Sequence, residues 1–562
     1  MAVQLWCLLF GVLVTLPERL NGSHRDDLVV ETDLGRLRGS IIKSRSGRDI
    51  YSFRGVRFAK PPVGELRFKA PQPLEPWEGI VNATEDGYAC LQPVPNSIIR
   101  PSSEDCLFLN VYTTQLPHKG HKHPNRPVLF FIHPGGWYQF TAISSFLGPQ
   151  YFMDQDIVLV TANYRLGALG LISTGDGVLE GNYAMKDQVA VLRWINKNIH
   201  SFGGNPSSVT IGGYSVGGAS VFLHMLSTMA KGLFHRAISM SASIDTRWDI
   251  DHDPIAIARK HASLLGCPTA TSQLIAECLR AKPARDIAES IGLLREWARD
   301  PILKYYPVIE SDLHDGRERY LTEEPYLQLL HRNFTQVPWL TGFTKDEFSW
   351  RALSVTMNAT LANDMYENFE FVAPIAFMYE RGTNQSHHIS QELKKFYLKN
   401  QPITNASLDG LGKLYADAII CFGEDRAAKI IAKISRYPVY FYKFSYQGRY
   451  SFFYIPGTTT PYGVAHHDDL MYLFYISSLG FPFFQDGEPE THVSETLIAM
   501  WANFVKTGNP TPSSSSVTSN ITWEPMKPEK LTYLDIDSQL VLKENLYQER
   551  MEVWSRLFPY QL

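Results

Sequence analysis

The run Gly213-Tyr214-Ser215-Val216-Gly217 holds a serine between two glycines in the pattern G-x-S-x-G. At Gly and Ser frequencies of roughly 7% each, a chain this long contains the pattern by accident about once in six, so its weight comes from its setting. A strand-like run (VTI, 209–211) precedes it and a helix-like run (ASVFLHML, 219–226) follows. In that strand–turn–helix context a serine stands on a strained turn and attacks an acyl carbon. Glycine is needed at the flanks, where a Cβ would collide with the neighbouring strand and helix. A second group, His133-Pro134-Gly135-Gly136-Trp137, follows the apolar run Pro127–His133. Glycines there let backbone N–H groups come within about 2.7–3.1 Å of a developing oxyanion. Pro134 carries no N–H, so the amides of Gly135, Gly136 and Val216 are the candidate donors. The chemistry also needs a base and an acid. Residue type alone leaves both open, with 17 histidines and 57 carboxylates in the chain.

Longer stretches narrow the choice. FRGVRFAKPPVGELRFKAP (53–71), EDCLFLNVY (104–112), NYRLGALG (163–170), GNYAMKDQ (181–188), FGGNPSSVTIGGYSVGG (202–218), LFHRAISMSAS (233–243) and WANFVKTGNP (501–510) occur in that order. Together they resemble the type-B carboxylesterase and cholinesterase family of α/β-hydrolases over essentially the whole mature length. The resemblance implies Ser215 as nucleophile, Glu347 in TGFTKDEF (341–348) as the acid, with Asp346 an ordinary neighbour, and His466 in GVAHHDDL (463–470) as the base. The order Ser, acid, His is that of α/β-hydrolases. It further implies an oxyanion hole of Gly135, Gly136 and Val216 amides, a supporting hydroxyl at Ser241, and no cofactor or metal. The alternative for Ser241 is a solvated hydroxyl near a strand end. The expected activity is hydrolysis of a small-molecule carboxylic ester through an acyl-enzyme.

The chain departs from the family's usual pattern at four places. Val216 stands where alanine is usual, Tyr214 where an acidic residue, His or Gln is usual, and Phe348 and His467 where glycine is common. These departures imply a narrowed acyl pocket and lowered catalytic power. Residues Leu91 to Asp105 contain no aromatic side chain, so the cation–π platform of cholinesterases is missing. Two further readings stay open: a juvenile-hormone-esterase-like enzyme, although those typically read G-Q-S-A-G, and a weakly active or non-catalytic secreted binding protein of the same fold. A metal site at His466, His467, Asp468 and Asp469 is disfavoured, because consecutive side chains point in different directions.

These groups need rigid elements to hold them. Pro127–His133, Asp156–Thr161 and Val209–Ile211 read as buried strands, with others at Val337–Thr341, Val439–Phe444 and Leu531–Leu534. Gln188, Val191, Leu192, Ile195 and Ile199 recur at helical steps. Strand, helix and strand in alternation predict an α/β fold: a large central, mostly parallel sheet flanked by helices, with long insertions. Leu470–Phe484 reads as buried core, and Ser513–Ser516 as an exposed loop.

Composition fits this picture. The chain has 562 residues, 44% of them hydrophobic, and a net charge of −4, which gives no electrostatic footprint for nucleic acid. Residues 1–22 read as a signal peptide, with an apolar run too short to span a membrane and cleavage near Gly22 or Ser23, leaving 23–562 as one domain without a membrane span. Six Asn-x-Ser/Thr acceptors, at Asn82, Asn333, Asn358, Asn384, Asn405 and Asn520, fit a secreted, extracellular glycoprotein. Close spacing predicts disulfides Cys90–Cys106 and Cys267–Cys278. Cys421 is left as a buried free thiol.

Overall fold

A computed structural model describes residues 28–93, 101–242, 250–513 and 521–559. The expected signal segment and Asn520 lie outside the described residues. The central sheet has 11 strands: β1 Ser40–Lys43, β2 Asp49–Arg57, β3 Phe108–Thr113, β4 Arg126–Ile132, β5 Val158–Ala162, β6 Gly204–Tyr214, β7 Arg236–Met240, β8 Trp339–Thr344, β9 Val439–Phe444, β10 Thr532–Ile536 and β11 Leu540–Glu544. Across the sheet they run β11-β10-β9-β8-β7-β6-β4-β5-β3-β2-β1. From β10 to β5 every neighbour is parallel, and the pairings at the two ends are antiparallel.

Both faces of the middle strands are buried, which is why their sequences are apolar without alternation. In β4, Val128, Phe130 and Ile132 pack into one core and Leu129 and Phe131 into the other. Helices α1 (Tyr183–Asn198) and α2 (Val216–Leu226) cover the first face. There Val191, Leu192 and Ile195 of the expected amphipathic stripe are buried. Farther along, α3 (Leu408–Ala416) and α4 (Phe422–Ile434) flank one π-helical turn, Asp417–Cys421, on that same side. Helix α5 (Pro489–Thr507) covers the opposite face through Leu497, Trp501 and Phe504.

Strand bounds shift by one or two residues at other expected strands, such as Val158–Ala162 for Asp156–Thr161, and larger differences appear elsewhere. β6 begins at Gly204, before the apolar run at Val209, and its pairing with β4 is irregular between those two residues. The expected strand at Val337–Thr341 runs instead from Trp339 to Thr344. The edge strands β1 and β11 carry too few buried apolar residues to announce themselves. In Leu470–Phe484 the two ends are core, with Leu470 to Phe474, Ile476 and Phe484 buried, whereas Ser477 to Phe483 are exposed or partly exposed around a turn at Gly480. Both expected disulfides are present, Cys90–Cys106 and Cys267–Cys278, and Cys421 is a buried free thiol. Ser513 is exposed, and the rest of the serine tract lies outside the described residues.

Candidate active site

β6 delivers Ser215 to the C-terminal edge of the sheet, in a turn where its φ is +56°. A non-glycine residue in that region is strained and persists only where its surroundings dictate it. The Ser215 amide donates to Met240 O of β7 (2.8 Å), and the Ala219 amide donates to Ser215 O (2.9 Å), closing the first turn of α2. The flanking glycines have no room for a side chain. A Cβ on Gly213 would lie 2.3 Å from the Gly217 backbone, and one on Gly217 would lie 2.3 Å from Ile132 O. The sequence therefore reads G-x-S-x-G because the turn, the helix and β4 touch there.

The loop after β4 carries Gly135 and Gly136, at φ +118° and +62°. A Cβ on Gly135 would sit 2.0 Å from Gln139 O. The Gly135 carbonyl accepts from the Tyr138 and Gln139 amides, both at 3.0 Å, while the Gly135 and Gly136 N–H groups make no hydrogen bond among the described residues. Trp137 Nε1 donates to Ser220 Oγ (3.0 Å), and Ser220 Oγ donates to Val216 O (2.8 Å). The loop is thus keyed to the first turn of α2, where Val216 is the first helical residue and its amide is one of the unpaired donors at the positive end of the helix dipole.

Glu347 follows β8 and His466 follows β9, both on turns beyond the C-terminal ends of their strands. His466 Nδ1 lies 2.5 Å from Glu347 Oε2, with both side chains buried. Glu347 Oε1 accepts from the Thr344 amide (2.8 Å). Burial pushes the Glu347 carboxyl up, opposed by the hydrogen bond from the Thr344 amide. The same burial pushes the His466 imidazole below its ordinary value, so it is held neutral with Nδ1 committed to the carboxylate. His466 Nε2 is buried and has no hydrogen-bond partner. No hydrogen bond joins it to Ser215 Oγ, but both side chains line one cavity of about 60 Å³ together with Gly135, Gly136 and Val216. Such contacts are often long without substrate and tighten in the reacting complex.

Ser241 is fully buried rather than solvated; its Oγ donates to Tyr214 OH (2.9 Å). Asp346 is more than an ordinary neighbour. Its carboxylate accepts from the Val464 amide (2.9 Å) and its own amide donates to Val464 O (2.9 Å), clamping the acid turn to the histidine turn. Asp468 and Asp469 point into separate networks. Asp468 accepts from Ser451 Oγ (2.8 Å) and the Phe452 and Ala465 amides (2.8 Å each), and Asp469 from Tyr442 OH (3.0 Å). Among the described residues no group of three His, Cys, Asp or Glu is arranged to hold a metal.

Sequence reasoning missed most of the cavity wall. Tyr138, Phe140, Ile302, Leu303, Ile419 and Ile420 all line it. Tyr138 and Phe140 adjoin the glycine loop and could have been flagged by proximity. Ile302 and Leu303 come from an insertion, Ile419 and Ile420 from the π-helical turn, and neither pair carries a local signal. Five expected glycan acceptors (Asn82, Asn333, Asn358, Asn384 and Asn405) are exposed. No helix among the described residues is long and apolar enough to cross a membrane.

Residues 26–554 match the Carboxylesterase family. Esterase FE4 of Myzus persicae is 38% identical over 499 residues, covering 87% of this chain and 86% of its own. The juvenile hormone esterase of Tribolium castaneum is 33% identical over 527 residues, covering 91% and 88%. A crystal structure of juvenile hormone esterase from Manduca sexta, with OTFP covalently attached, superposes with a TM-score of 0.83 at 28% identity, covering 95% of this chain and 100% of that one. With an α/β-hydrolase sheet, a match to the family over residues 26–554 and these esterases as relatives, the chain belongs to the carboxylesterase family.

Proposed function

We propose that the protein is a secreted serine carboxylesterase that cleaves apolar carboxylic esters through an acyl-enzyme. His466 Nε2 takes the Ser215 proton as Oγ attacks the ester carbonyl, and Glu347 orients the imidazole and stabilises the imidazolium that forms. The Gly135, Gly136 and Val216 amides hold the oxyanion. His466 then gives the proton to the departing alcohol, and water repeats the sequence on the acyl-serine.

The observation that carries this reading is the buried 2.5 Å contact of His466 Nδ1 with Glu347 Oε2, with Nε2 left free in a cavity shared with Ser215 and the glycine loop. Substrate class follows from the wall. Phe140, Val216, Ile302, Leu303, Ile419 and Ile420 offer hydrocarbon surface and no charge, which favours an apolar acyl or alcohol group. Val216 fills space that alanine would leave open, favouring a short or slender acyl chain. The exposed glycan acceptors and two disulfides support an extracellular site of action.

Turnover of a short-chain nitrophenyl ester tests the proposal. The wild type should hydrolyse it, and S215A should fall to background. A fluorophosphonate should label the wild type on the peptide containing Ser215, and activity should survive a chelator. Equal turnover by wild type and S215A would overturn the mechanism.

A further inference from the structure

We propose that Tyr214 is a positioning residue whose phenol oxygen ties the nucleophile turn to the turn that carries His466. Tyr214 is the last residue of β6, adjacent in sequence to Ser215 and paired in register with Met240. Its side chain is fully buried. The phenol oxygen accepts from the backbone N–H of His467 (2.8 Å) and from Ser241 Oγ (2.9 Å). Its ring stacks on the His467 imidazole at 5.0 Å and 26° and lies 5.2 Å from the His466 ring. One side chain therefore bridges the residue before the serine and the residue after the histidine, which are 253 positions apart in the chain.

The bridge answers a specific strain. His467 has φ +82°, in the left-handed region that L residues avoid. A residue stays there only when its surroundings over-determine it. Here the surroundings are the phenol, which fixes the amide, and the rings of Tyr214, Phe140 and Phe452, which enclose the imidazole. Were the amide released, the turn could relax toward negative φ and carry the adjacent His466 Nε2 away from Ser215. Burial and the neighbouring carboxylates hold the Tyr214 proton on. The phenol also opposes the rise that burial imposes on Asp469, so the same group settles the polar side of the turn. Two departures from the usual family pattern, Tyr214 and His467, thus form a matched pair: the histidine creates the strain and the tyrosine restrains it.

This inference rests on the proposed serine mechanism, and a double-mutant cycle tests it. Wild type, Y214F, H467G and Y214F/H467G are assayed on nitrophenyl butyrate, each well below its own melting temperature, with S215A as the control. Y214F should lower kcat by about 10-fold or more with KM within about twofold, because geometry at the reacting atoms is lost while the pocket wall is kept. Glycine accepts φ +82° without strain, so in the H467G background the same Y214F change should cost about threefold or less, whatever H467G itself costs. Should Y214F alone fail to fold, recovery of a folded, active double variant would report the same coupling. Equal kcat for Y214F and wild type, or an equal Y214F loss in both backgrounds, would overturn the positioning role. If the wild type itself turns over no faster than S215A, the serine mechanism fails instead.

Discussion

The contact between His466 Nδ1 and Glu347 Oε2 makes the tautomer of the base a consequence of the acid. With Nδ1–H held by a carboxylate, Nε2 is left free to accept a proton, which the proposed mechanism takes from Ser215. E347Q keeps the shape but offers an amide in place of the charge, so kcat should fall by roughly 10³ to 10⁴ with little change in KM, as read in a steady-state assay. The pH profile follows from burial. Desolvation lowers the His466 imidazole from its ordinary 6.5, so the neutral, active base persists to lower pH and activity is lost as pH falls through the lowered value. The acid limb of kcat/KM should therefore inflect below 6.5, and lower still in E347Q, where no carboxylate supports the cation. An inflection above 6.5 in the wild type would contradict this.

Each reacting group depends on an element that cannot move far. A Cβ at position 217 would lie 2.3 Å from Ile132 O, so G217A forces α2 off the end of β4. We expect a loss of about 2 kcal/mol or more of stability together with activity. Gly292 meets nothing within 4 Å, and G292A should change stability by no more than about 0.5 kcal/mol. Chemical denaturation of the pair separates close packing from glycine content. α2 also carries His224, fully buried, with Nε2 bonded to Gln188 Oε1 of α1 (2.9 Å) and Nδ1 to Tyr320 OH (3.0 Å). Burial lowers its imidazole to about 3, so unfolding takes up a proton there between about pH 3 and 6.5. Its stabilising contribution is complete above pH 6.5 and is lost as pH falls from 6.5 toward about 3. By pH 5 the loss from this one group is about 2 kcal/mol, and H224Q should remove that share of the pH dependence in denaturation curves.

Across the whole molecule, distant segments fix the cavity wall. Ile419 and Ile420 line the cavity from the π-helical turn, which opens with Asp417. The Asp417 carboxylate is fully buried and is held by Arg550, whose Nε donates to it at 2.7 Å from the C-terminal helix Gln548–Leu557. Tyr397 OH also donates to Asp417 and accepts from Trp554 Nε1 (2.7 Å). R550A would leave a buried carboxylate without its counter-charge, at a cost of about 3–5 kcal/mol. D417N/R550Q removes both charges and should cost distinctly less, as thermal unfolding would show.

The serine turn, its glycines, the glycine loop after β4 and the core strands were readable from the residues, because each reports a local physical demand. Close backbone approach requires glycine, burial on two faces requires an unbroken apolar run, and a short disulfide loop requires nearby cysteines. Glu347 and His466 needed family-length matches, since nothing within a few positions distinguishes them from 56 other carboxylates and 16 other histidines. What only the tertiary structure decided is which side chains meet. Tyr214 and His467 looked like independent departures and Asp346 like a bystander, while Ile302, Leu303, Ile419 and Ile420 drew no notice. Contacts between residues hundreds of positions apart are set by the register of the sheet and the packing of its insertions, and no local pattern encodes them.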